Sequence, residues 1–245
     1  MSPRDHFARN PEEKTTMPSS LFLPETRSVL DAIAAEQQRV DAFEQPKLLE
    51  TIRRRSTPWT PEELVDACAG GYYAAPAAIG RMLYTSVRAM RPRTVFEFGT
   101  SYGFTAIHIA AALRDNGSGK LYTVDLHEGK CAAARDHLKS AGVAEYAEVV
   151  TGEAVEVISS FSEPIDFLYL DGWADFYLDV VRAAEPRLRS GALVHADDTE
   201  KFAAAARPYL DHVRDPANGY VSVGIADGQG LELSTFTGLS GRTVS

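Results

Sequence analysis

The sequence predicts an α/β fold: a seven-stranded, mostly parallel sheet with an antiparallel last strand, helices on both faces and extra N-terminal helices. Three observations carry this. Strand-like and helix-like signals alternate from Arg93 onward, which calls for a parallel sheet covered by helices. The run Thr94 to Phe98 ends in a glycine turn, and an apolar helical run, Phe104 to Leu113, follows at once. The last two strand-like runs have no helix between them. They are joined by Ala226-Asp227-Gly228-Gln229-Gly230, a hairpin-like connection, so the final strand is expected to run antiparallel.

The elements read in order as follows. Residues 1–20 are polar and proline-bearing, expected as a flexible tail. An N-terminal helical region, 21–75, precedes the main domain, 76–245. A helix is expected over 24–44, where Val29, Ile33, Val40 and Phe43 share a broad face, and Pro46 is expected to interrupt it. Pro58 and Pro61 lead into a short helix, 61–69, which Gly70-Gly71 breaks. A helix over 76–90 presents Ile79, Met82, Leu83, Val87 and Met90 as an ordinary core stripe. Strands are expected near 94–98, 120–124, 147–150, 165–170, 191–196, 219–225 and 230–236. Helices are expected near 104–114, 129–140, 153–160, 175–188 and 199–213.

Composition narrows the function. The chain has 245 residues, 44% of them hydrophobic, enough for one sizeable core. A formal net charge of −9 argues against a nucleic-acid or anionic-membrane surface. Arg53-Arg54-Arg55 is the one basic run and reads as a solvated helix face. Cys68 and Cys131 match no metal or redox spacing and read as small apolar residues of a reduced compartment. No apolar stretch approaches the ~18–20 residues of a membrane span, and residues 1–20 lack the apolar core of a signal peptide. A cytoplasmic location is expected.

The glycine turn is chemically specific. It reads Glu97-Phe98-Gly99-Thr100-Ser101-Tyr102-Gly103. Gly99 and Gly103 let the backbone turn tightly against a ligand, and the helix behind them offers free N–H groups. A dinucleotide fingerprint would have a middle glycine, absent here. An acid just ahead of the loop repels a pyrophosphate and welcomes an ammonium. S-adenosylmethionine carries an ammonium and a sulfonium, and the pattern E-x-G-x-x-x-G resembles motif I of class I methyltransferases that use this donor. A second strand, Lys120 to Val124, ends in Asp125 and Leu126 at the spacing where a Rossmann-like unit places its ribose-binding carboxylate. Asp125 can equally cap the helix that follows. A third strand leads to Thr151-Gly152-Glu153-Ala154. In methyltransferases of this type the corresponding turn lies beside the adenine, so Gly152, Glu153 and Ala154 are candidate donor contacts by resemblance, with Ser101 and Tyr102 beside the methionine moiety.

Acids gather at later strand ends. The fourth strand ends in Asp171-Gly172-Trp173 and the fifth in Asp197-Asp198. Neighbouring strand ends would bring three carboxylates together, and a hard divalent cation would relieve their repulsion. Capping roles for Asp171 and Asp198 are the structural alternative. Leu168-Tyr-Leu-Asp171-Gly-Trp with Val194-His-Ala-Asp197-Asp198 resembles the bacterial relatives of catechol and caffeoyl-CoA O-methyltransferases, over residues 76–236.

That resemblance implies an S-adenosylmethionine-dependent O-methyltransferase. It implies Mg²⁺, or another divalent cation, on Asp171, Asp197 and Asp198, and a small-molecule acceptor with chelating hydroxyls. It also implies a possible homodimer. One departure is important. The family carries a base lysine three residues after the first metal aspartate, and this chain has Ala174 there. Metal activation can suffice, another group such as His195, Asp175 or Lys201 can serve as base, or methyl transfer has been lost while the fold remains. Asp171 and His195 are the catalytic candidates carried forward.

Overall fold

The computed structural model describes residues 19–226 and 229–238. Most of the expected N-terminal tail, residues 1–18, lies outside the described residues, as do Asp227 and Gly228 of the hairpin connection.

Seven strands form one sheet in the order β3-β2-β1-β4-β5-β7-β6. They are β1 (Thr94–Phe98), β2 (Lys120–Asp125), β3 (Ala147–Thr151), β4 (Ile165–Leu170), β5 (Leu188–Ala196), β6 (Tyr220–Ile225) and β7 (Leu231–Phe236). β7 pairs antiparallel with both β5 and β6, and the other pairs are parallel. The order reverses between β1 and β4, which opens a crevice at their carboxyl ends. The eight α-helices of the described residues are α1 (Pro24–Arg54), α2 (Pro61–Cys68), α3 (Ala77–Met90), α4 (Phe104–Asn116), α5 (Glu128–Ser140), α6 (Ala154–Ser160), α7 (Tyr177–Ala184) and α8 (Ala203–Arg214). No helix among the described residues is long and apolar enough to cross a membrane.

Two apolar layers enclose the sheet. On one face α3 and α4 bury Leu83, Val87, Ile107 and Leu113 against Val95, Phe167 and Tyr169. On the other, α6, α7 and α8 bury Ile158, Val180, Val181 and Val213 against Phe96, Leu168 and Val194. Burial on both faces explains the near-continuous apolar strands. The N-terminal region is tied to the first layer. Ser20 and Tyr84 hydroxyls both donate to Asp115, at 2.5 Å each, and the Thr26 hydroxyl donates to the Ala141 carbonyl at 3.1 Å.

Four boundaries differ clearly from expectation. Pro46 does not end α1, which runs on to Arg54. Pro46 and Ala42 lie on the exposed side, where water can satisfy the carbonyl that the missing N–H leaves free. Burial of Leu48 holds the second half of the helix in place. β5 begins at Leu188 and α7 stops at Ala184, because Arg187 turns back to the Ala184 carbonyl and a register shift opposite Ile165–Phe167 absorbs the polar Arg189-Ser190 run. α8 begins at Ala203, not at 199. Asp198 is left-handed (φ 58°), and the N–H groups of Thr199, Glu200 and Lys201 donate to the Gly230 and Gln229 carbonyls instead of entering a helix.

Candidate active site

The donor loop is shaped by two glycines. Gly99 has φ +105°, and a Cβ there would lie 2.5 Å from the Asp171 carbonyl oxygen. The Gly99 N–H donates to Val124 O and the Asp171 N–H to Phe98 O, both at 2.9 Å, so β1, β2 and β4 ends are stitched together at this point. Gly103, at φ +83°, caps α4. Gly99→Ala combines a clash with fixed backbone and a disfavoured φ. It is expected to cost at least ~3 kcal/mol in urea unfolding and to weaken S-adenosylhomocysteine affinity in calorimetry.

Asp125 organises the next loop. Its two carboxylate oxygens accept the Ser101 N–H (2.8 Å) and the His127 N–H (2.9 Å). It does not cap α5, whose N-cap is His127. The Ser101 hydroxyl donates to the Tyr72 carbonyl at 2.7 Å, and the Tyr72 and Tyr102 rings stack at 3.8 Å. Asp41 of α1 accepts the N–H groups of Tyr72 (2.7 Å) and Tyr73 (2.8 Å), which fixes this cover over the loop.

A single cavity runs from this loop to the ends of β4 and β5. Gly99, Ser101, Tyr102, Asp125 and Leu126 line one end, with Gly152, Glu153 and Ala154. Asp171, Trp173, Asp198, Lys201 and Phe202 line the other, under a roof of Leu48, Leu49, Leu64, Val65 and Cys68 from α1 and α2. The Glu153 carboxylate is committed to capping α6, accepting the N–H groups of Val155 (3.1 Å) and Glu156 (2.9 Å). Trp173 meets Trp59 edge-on at 5.5 Å and Phe202 at 5.9 Å. Burial pushes the Cys68 thiol up to about 11, which disfavours the thiolate.

Two expected residues do not reach this cavity. His195 is 3% exposed in β5, packs edge-on against Phe167 at 4.7 Å, and is absent from the lining. Burial pushes its imidazole down to about 4. A residue inside a parallel strand faces a covering helix layer, so the structure removes His195 from the catalytic candidates. Glu97 is fully buried beneath the loop and also absent from the lining. Its carboxylate oxygens make no well-formed hydrogen bond; burial pushes the carboxyl up to about 7, against the Thr105 and Thr123 hydroxyls, which pull it down.

The raised Glu97 carboxyl makes stability fall as pH rises. Between about 4.5 and 7 the folded state holds a proton that the unfolded state has lost. Relative to Glu97→Gln, the wild type is expected to lose up to about 3 kcal/mol from pH 5 to pH 8. Denaturant unfolding at the two pH values measures it, and equal slopes for the two proteins would refute the effect.

Asp171, Asp197 and Asp198 border a second, adjoining cavity. Burial, then the charges of Asp197, Asp198 and Glu97, hold the Asp171 carboxyl well above the usual range. Asp197 accepts the Asp198 N–H at 2.9 Å and the Tyr169 hydroxyl at 3.3 Å, and Asp198 pairs with Lys201 at 2.8 Å. The donor set, all carboxylate oxygen, fits a hard divalent cation. As the side chains stand, no group of three or more acid, His or Cys residues among the described residues is close enough to hold one. Of the three candidate bases, Lys201 alone lines the cavity; Asp175 is exposed on the turn before α7. Ala174 is buried in that turn.

Sequence reasoning missed Lys130, Asp41 and the apolar roof. Only tertiary packing of α1, α2 and α5 on the donor loop brings these residues in, and spacing within a helix carries no signal of it.

The sheet order, the glycine loop backed by α4 and the acid at the end of β2 define a class I methyltransferase fold. A family described as a methyltransferase domain matches residues 96–199. The pig catechol O-methyltransferase is 29% identical over 142 residues, 55% of this chain and 74% of that protein. The crystal structure of cofactor-bound Rv0187 from MTB is similar at a TM-score of 0.65 and 25% identity, covering 73% of this chain and 88% of that one. An O-methyltransferase from Bacillus cereus, in complex with SAH, has the same fold at a TM-score of 0.60 and 18% identity, over 84% and 99% of the two chains. These likenesses support reading the chain as a class I S-adenosylmethionine-dependent O-methyltransferase.

Proposed function

We propose that the protein methylates a hydroxyl of a small molecule bearing two neighbouring oxygens, with a divalent cation, Mg²⁺ by preference, held by Asp171, Asp197 and Asp198. The observation that carries this reading is the continuous cavity joining the Asp125 end to the Asp171–Asp198 end beneath an apolar roof. A donor lying along it has its ribose on Asp125, its adenine beside Leu126 and Gly152–Ala154, and its methionine moiety against Gly99, Ser101 and Tyr102. The donor's ammonium above the loop would draw the buried Glu97 carboxyl into its charged form, and that charge would favour the ammonium in return.

A bound cation would draw two acceptor oxygens together and lower the pKa of the hydroxyl to be methylated. The chain's own residues do the rest. Leu48, Leu64 and Trp173 exclude water around an apolar acceptor. The hydroxyl proton passes to water, since Ala174 cannot take it, and the Lys201 ammonium beside Asp198 stabilises the oxyanion that remains. The acceptor oxygen forms its bond to the methyl carbon as the carbon–sulfur bond breaks, and S-adenosylhomocysteine leaves. Alignment and charge neutralisation supply most of the rate. Self-association and a cytoplasmic location belong to the same reading. The solution mass checks the first.

The test offers S-adenosylmethionine, Mg²⁺ and either catechol or phenol, and measures S-adenosylhomocysteine. Release with catechol, none with phenol, and suppression by EDTA are expected. Conversion of an acceptor without S-adenosylhomocysteine release would favour the alternative, a methyltransferase fold turned to cyclase- or lyase-like chemistry. Absence of any conversion, with intact donor binding, would favour a binding subunit.

A further inference from the structure

Lys130 is poorly placed by ordinary rules. It is 4% exposed, in the first turn of α5, where the helix dipole disfavours a cation. Burial pushes its ammonium pKa down. Yet it has no ion pair and no side-chain hydrogen bond among the described residues. The nearest stabilising groups are the Tyr73 and Tyr102 rings, whose centroids lie 5.3 and 5.6 Å from the nitrogen. Each of the two nearby carboxylates already accepts two backbone N–H groups and makes no hydrogen bond to Lys130: Asp125 from Ser101 and His127, Asp41 from Tyr72 and Tyr73. Lys130 lines the cavity at the Asp125 end, away from Asp171. A buried cation with three donors and no protein acceptor needs its acceptor from a ligand.

We propose that Lys130 is a donor-binding residue that donates a hydrogen bond to a ribose hydroxyl oxygen of S-adenosylmethionine while Asp125 accepts from the same diol. This rests on the placement of the ribose at Asp125. A hydroxyl both donates and accepts, so one diol can satisfy the carboxylate and the ammonium together. The pair then favours an intact ribose over deoxyribose by two interactions instead of one. The free protein carries the cost of the unsatisfied ammonium, and the donor relieves it.

Calorimetry with S-adenosylhomocysteine and its 2′-deoxy and 3′-deoxy analogues, on wild type, Lys130→Met and Lys130→Arg, tests this. Lys130→Met is expected to weaken S-adenosylhomocysteine at least tenfold while leaving the melting temperature equal or higher. The penalty is expected to shrink to under threefold for one of the deoxy analogues, and Lys130→Arg is expected to restore part of the affinity. Equal weakening for all three ligands, or no weakening, would overturn the proposal and leave Lys130 a structural cation over the tyrosine rings. Unchanged donor affinity with a raised KM for the acceptor would also overturn it, in favour of an anionic acceptor. Wild type that fails to bind S-adenosylhomocysteine at all would bring down the donor reading itself, and this inference with it.

Discussion

Asp125→Ala is expected to weaken S-adenosylhomocysteine binding about a hundredfold in calorimetry, equivalent to ~3 kcal/mol. The carboxylate does two jobs at once. It holds the Ser101 and His127 N–H groups at 2.8 and 2.9 Å, and so sets the shape of both loops that border the donor. Its remaining lone pairs face the cavity, where the ribose hydroxyls would donate to them. Alanine removes both functions. Asp125→Asn keeps the size but turns one acceptor into an NH₂ donor facing a backbone N–H, so about a tenfold loss is expected from it. The fold does not depend on this residue, because Gly99 and Thr100 N–H groups bond the Val124 carbonyl independently at 2.9 and 3.3 Å. Unchanged affinity in the alanine variant would refute the ribose role.

Much of this was legible in the sequence because strand ends are local. Gly99, Asp125, Asp171 and Asp198 each follow a short apolar run directly, and a parallel sheet puts all such ends on one edge. Alternation of signals fixed the layer architecture for the same reason. Residues within strands were less legible. His195 lies two residues before Asp197, but it is still inside β5, where both faces are covered, while Asp197 and Asp198 are past the end. Helical residues were the least legible. Lys130 and Leu64 reach the cavity, and Asp41 the Tyr72–Tyr73 cover, only through the packing of α1, α2 and α5, and their local patterns are those of any surface or amphipathic helix. Pro46 shows the limit of a breaker rule. The rule describes the lost hydrogen bond, and an exposed position lets water make up for it.

Asp197→Ala is expected to abolish Mg²⁺ or Mn²⁺ binding to the protein saturated with S-adenosylhomocysteine, and to lower kcat for methyl transfer about a thousandfold. Asp197 is 1% exposed, and of the neighbouring charges that raise the Asp171 carboxyl its own is the largest. In the free protein these like charges oppose one another, and Lys201 offsets the charge of Asp198. A divalent cation offers each carboxylate a stronger partner, so losing one of three ligands leaves too few for tight binding. The same repulsion separates a functional loss from an unfolding one. Alanine removes one buried charge from a crowded group but leaves the Tyr169 hydroxyl and the Asp198 N–H without this acceptor, so only a modest fall in melting temperature is expected, with the protein still folded. Donor affinity should also hold, since Asp197 is absent from the lining of the donor cavity. The combination of intact fold, intact donor binding and lost metal binding would come from no purely structural role. If wild type itself shows no saturable metal binding, the three carboxylates serve the Lys201 ammonium instead, and methyl transfer has to proceed by alignment and that lysine alone.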